Sequence, residues 1–142
     1  MTSRRYPYFA LAAITIVAAV LASCATSPPD PGRLLLTITV TPATADAQAY
    51  PNGQVTFTAT GTFSVAPSPA PLPFTAPYNG QIFVANPTNP QGTIANVVSS
   101  ANSSATVQCV SGVSGIVPIV ASAYANNINQ TVITGSAQLT CP

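Results

Sequence analysis

From residue 34 onward the sequence predicts an all-β fold, an antiparallel sandwich of about seven to eight short strands. Three observations predict it. Apolar and hydroxyl side chains alternate with period two, turn residues recur at spacings of about 8–12 positions, and no segment after residue 33 carries helical apolar spacing of useful length.

The first strand is residues 34–41 (LLLTITVT), where Leu36, Ile38 and Val40 alternate with Thr37, Thr39 and Thr41. The second is residues 54–60, with Val55, Phe57 and Ala59 against Thr56, Thr58 and Thr60, after a turn at Pro51-Asn52-Gly53. Threonine suits an outward strand face because its β-branch stiffens extended backbone. Pro67, Pro69, Pro71 and Pro73 fall at every second position, which fits a polyproline-like connection or a protected sheet edge. Tyr78-Asn79-Gly80 then turns into a strand at residues 81–85, and a weaker strand occupies residues 93–98. Residues 105–110, 116–123 and 131–141 complete the set, split by Gly112 and Gly115 and by the polar run Asn126-Asn127-Ile128-Asn129.

Ahead of this domain stands an export signal. Arg4 and Arg5 form a charged start, residues 9–21 an apolar stretch, and Leu21-Ala22-Ser23-Cys24 a run of small residues ending in a thiol. These residues resemble the lipobox of bacterial lipoproteins. The resemblance implies cleavage before Cys24, which becomes the lipid-carrying first residue of the mature chain. The competing reading is an uncleaved transmembrane helix over residues 6–25, against which stand the short apolar core and Pro7. Ser3-Arg4-Arg5 is similar to the start of a twin-arginine signal, but Pro7 and Tyr8 do not continue it, which favours ordinary unfolded export. Ala25 after the cysteine, rather than Asp, favours the outer membrane. Residues 24–33 are then the lipidated cysteine and a proline-rich tether reaching about 28 Å at roughly 3.1 Å per residue.

Removing residues 1–23 from 142 leaves 119, enough for one domain, residues 34–142. That chain keeps only Asp30, Arg33 and Asp46, with no His, Lys or Glu, so its side-chain charge is −1. It carries no basic field for phosphate backbones, which excludes nucleic acid as a partner. If lipid consumes Cys24, Cys109 and Cys141 remain as a pair in an oxidising compartment. Both share the inward parity of their strands, Cys109 with Ala105 and Val107, Cys141 with Ala137 and Leu139. A bond between them closes a loop worth about 3–4 kcal/mol in the chain-entropy model; the alternative is two buried thiols.

The same inventory argues against an enzyme. Acid–base catalysis lacks His, Glu and Lys, and the abundant serines have no base to activate them. Asp30 in the tether and Asp46 in a loop make neither a glycosidase pair nor a calcium cage, and two cysteines do not make a zinc site. No catalytic residue, metal ligand or cofactor is expected.

Ile38-Thr39-Val40-Thr41-Pro42 and residues 53–61 (GQVTFTATG) resemble the first two strands of group 2 bacterial immunoglobulin-like domains. Ala105-Thr106-Val107 and residues 114–123 (SGIVPIVASA) are similar to the closing hairpin of that family. The resemblance spans about residues 34–141 and implies an immunoglobulin-like sandwich, a cell-surface setting that is often adhesive, and no common active site. Members often carry a Trp in the middle strand; this chain has none, so Phe74, Tyr78 or Phe83 is expected to fill that part of the core.

Two features suggest binding. The stiff segment 67–77 suits a partner groove or, as its structural alternative, a crossover guarding a sheet edge. Ile116, Pro118, Val120 and Tyr124 take the outward parity of their strand, where Thr or Ser is expected. This candidate interaction surface either meets a partner or is covered by a loop; the proline segment is the expected cover. The chain therefore reads as a membrane-anchored envelope protein with a structural or adhesive role, its partner an unidentified protein or glycan. The alternatives are a non-catalytic accessory subunit of an envelope complex and, less well supported without Trp, a carbohydrate-binding module.

Overall fold

The computed structural model describes residues 32–86 and 92–142. The export signal, Cys24 and Asp30 lie outside these residues. Nine strands follow in chain order: β1 (Leu35–Thr41), β2 (Thr44–Asp46), β3 (Gln54–Phe63), β4 (Ala70–Pro71), β5 (Gln81–Val84), β6 (Ala95–Ala101), β7 (Ser104–Cys109), β8 (Gly115–Tyr124) and β9 (Val132–Cys141). One sheet has the order β1-β3-β7-β6, with β4 added to β3, and the other has the order β2-β9-β8-β5. This is the strand order of an immunoglobulin-like sandwich. All pairings are antiparallel except β2 with β9, which is parallel. β1 and β2 flank Pro42 in one stretch of chain that leaves the first sheet for the second, where the Ala43 carbonyl accepts from Gln138 N–H.

Alternation drives the core, as the sequence predicts. Val55, Phe57 and Ala59 of β3 are fully buried with Val107 of the adjacent β7, and Val117, Ile119 and Leu139 of the other sheet complete this layer of the core. Between them their partners are threonines, and Thr56 and Thr106 share a 3.0 Å hydroxyl hydrogen bond on the outer surface. β1 departs from simple alternation. Its register shifts between Leu35 and Thr37, so Leu35 turns inward at 1 % exposure while Leu36, expected inside, stands 51 % exposed. Such a bulge adds one residue to one strand and reverses the parity before it.

Two glycines let the layers close. A Cβ on Gly61 would lie 2.7 Å from Leu35 Cδ1, and one on Gly135 would lie 2.3 Å from the Ile38 carbonyl oxygen. β9 therefore crosses directly over the β1 backbone, where no larger residue fits.

Of the three aromatics expected in the middle of the core, Tyr78 is buried and edge-on to Phe63 at 5.2 Å between centroids. Phe74 packs partly buried against the core. Phe83 does not enter it. Phe83 pairs with Val120 and Ile82 with Ala121, so strand parity sends Ile82 inward and leaves Phe83 39 % exposed.

Candidate interaction face

Cys109 and Cys141 are bonded, with Cα atoms 5.7 Å apart. The bond ties the end of β7 in one sheet to the end of β9 in the other. It staples the two layers at one pole of the sandwich.

The proline segment does not cover the outward row of β8. Ala70 and Pro71 pair with Gly61 and Thr60 of β3, and Leu72 is fully buried, its N–H donating to Ala59. The segment thereby occupies the part of the β3 edge beyond the end of β7, the guarding role expected of stiff, donor-poor chain. Arg33 fixes its start. The guanidinium lies 3.7 Å from the Phe63 ring centroid and donates to the carbonyls of Val65 and Pro67. The Arg33 carbonyl in turn accepts from the Tyr78 hydroxyl at 3.1 Å. Past the segment, the chain meets β8 at its end, where the Tyr78 carbonyl accepts from Tyr124 N–H, and not over the row Ile116, Pro118 and Val120.

Among the described residues, none covers the outward row of β8. Ile116 is 59 % exposed, Pro118 is exposed and Val120 is half-buried, one beside the next along β8. Phe83, directly opposite Val120 on β5, extends the row sideways. The opposing β9 positions on this face are Thr140, Gln138 and Ser136, so the apolar row has a polar border. Pro118 is tolerated in a strand with neighbours on both sides because its carbonyl accepts from Ala85 just past the end of β5. Its missing donor faces the same side, so the bond lost is the final one of that ladder, beyond Val84.

Tyr124, the fourth residue of the predicted row, is set apart from the others by the buried Ser122. It lines a shallow groove of about 300 Å³ together with Asn79, Gln81, Ser122, Ala123 and Val132. Gln81 Nε2 donates to Ser122 Oγ at 3.2 Å across its floor. Phe83 and Val132 belong to this face and were missed by sequence reasoning. Pairing register alone reveals them, since each sits opposite a residue of the outward β8 row.

The two described charges have structural partners. Arg33 holds the proline segment, and Asp46 caps the 3-10 turn Ala47–Ala49 through a bond from Gln48 N–H. Among the described residues no group of three or more His, Cys, Asp or Glu could hold a metal ion, and no helix is long and apolar enough to cross a membrane. Comparison of the chain with protein-family models, curated proteins and solved structures gave no match.

Proposed function

We propose that this chain is a lipid-anchored cell-envelope protein whose single immunoglobulin-like domain, of the group 2 bacterial kind, serves a structural or adhesive role without catalysis. The observation that carries the reading is the uncovered row Ile116, Pro118 and Val120 beside Phe83. Exposed apolar side chains contribute nothing to folding where they stand. A contiguous set of them, rimmed by hydroxyl and amide groups, suits the drying core of a protein contact. The lipobox-like run ending at Cys24 supplies the means of holding such a face at the membrane. More than one acyl chain makes that attachment stable.

Metabolic labelling with an alkyne fatty acid tests the anchor. Wild-type protein takes the label and Cys24→Ala does not; equal labelling of both contradicts the reading. A carbohydrate-binding role gains limited support from the groove, where Tyr124 stands beside the Gln81 and Asn79 amides. Retention on immobilised envelope glycans that is lost in Tyr124→Ala would favour it over a protein contact.

A further inference from the structure

The pole of the sandwich where the described chain begins gathers three segments. Arg33 bonds the 64–69 loop through the Val65 and Pro67 carbonyls, and Leu35 N–H donates to Ala125 at the start of the 125–131 loop. This loop presents Ile128, 75 % exposed and the most exposed large apolar side chain among the described residues. Its position is fixed. Asn126 is buried, and its Oδ1 accepts from the N–H groups of both Ile128 and Asn129. Val65, 49 % exposed, stands on the adjacent loop.

Arg33 lies at this pole, whereas Asp46 pairs with Thr140 beside Cys141 at the other end. The Arg33 guanidinium is taken up by the Phe63 ring and the Val65 and Pro67 carbonyls, and Asp30 precedes it by three residues, so what this pole offers a partner is its exposed apolar loop tips, which suit the headgroup boundary of a bilayer. Chain length brings such a surface within reach, since the nine residues from 25 to 33 span at most about 32 Å.

We propose that this pole rests on the bilayer, with Ile128 and Val65 entering the headgroup region of the leaflet that holds the Cys24 lipid. This inference rests on the lipid-anchor reading. The two loop tips then fix the domain's orientation as a second contact, and the β8 face stands at right angles to the membrane, open to a neighbour in the same plane.

The test uses the absence of Trp from the sequence. Acylated full-length Ile128→Trp and Val65→Trp are reconstituted into vesicles of phosphatidylethanolamine and phosphatidylglycerol, with and without brominated acyl chains. Gln48→Trp, exposed at the opposite pole, is the control. The proposal predicts blue-shifted emission and bromolipid quenching for positions 128 and 65 and neither for position 48. Vesicle-bound protein whose indoles at 128 and 65 are no more quenched than at 48 overturns it and leaves the anchor intact. Protein that fails to float with the vesicles removes the anchor reading and this proposal together.

Discussion

The two outer faces of the sandwich obey different rules. On the β1-β3-β7-β6 sheet the outward positions of β1, β3 and β7 include Thr37, Thr39, Thr41, Thr56, Thr58, Thr60 and Thr106, and the exposed apolar residues Leu36, Val97 and Val98 stand on its edge strands β1 and β6. On the β2-β9-β8-β5 sheet they include Ile116, Pro118, Val120 and Phe83. The inner faces are alike, Val, Ile, Leu and Ala packed to almost zero exposure. Folding constrains only the inner faces, so the contrast outside reports on contacts beyond the domain. A chain that can build a threonine face on one side has no folding need for an isoleucine and phenylalanine face on the other.

The largest way to break this comparison is on the inside. Phe57→Ala empties a fully buried site on the threonine-faced strand and is expected to cost about 3–5 kcal/mol, read as a lower urea midpoint with an unchanged slope. Reducing the Cys109–Cys141 bond is next. Opening that loop removes about 3–4 kcal/mol, a large share of a total of about 5–15 kcal/mol. Melting of the domain with and without reductant measures it, and mass spectrometry of unreduced, alkylated protein checks the bond itself. Gly135→Ala follows, because the added methyl meets the Ile38 carbonyl at 2.3 Å and forces β9 away from β1. About 1–3 kcal/mol is expected, readable in thermal melts.

Much of this architecture is legible in the sequence. Period two gave the inward residues of β3, β7, β8 and β9 and the facing cysteines, because every second residue of a flat strand shares a face. What escaped has local causes. The β1 bulge swaps Leu35 for Leu36, and nothing in LLLTITVT marks where the extra residue falls. β2 is three residues long, and its parallel pairing with β9 depends on a partner more than ninety positions away. Phe83 is a core candidate because the domains the chain resembles often carry a Trp in the middle strand, but a four-residue strand takes its parity from β8 and not from its own composition. The row on β8 was legible; its openness was not, since only the pairing of Ala70 and Pro71 with β3 shows where the proline segment goes.

The smallest expected effect on stability sharpens the contrast between the faces. Ile116→Thr combined with Val120→Thr converts one outer face into a likeness of the other. Each change is at an exposed or half-buried outward site with ordinary strand propensity, so the melting midpoint should stay within about 0.5 kcal/mol of wild type. A large loss would mean that the row is part of the fold.

In-cell photo-crosslinking addresses the central claim most directly. A photoreactive amino acid is placed at Ile116 or Phe83 on one face, and at Thr56 or Thr39 on the other, in full-length protein expressed at its native level. The account predicts discrete crosslinked species from positions 116 and 83, lost when Val120→Thr is added, and none from positions 56 and 39. Equal crosslinking from both faces, or none from either, would contradict it.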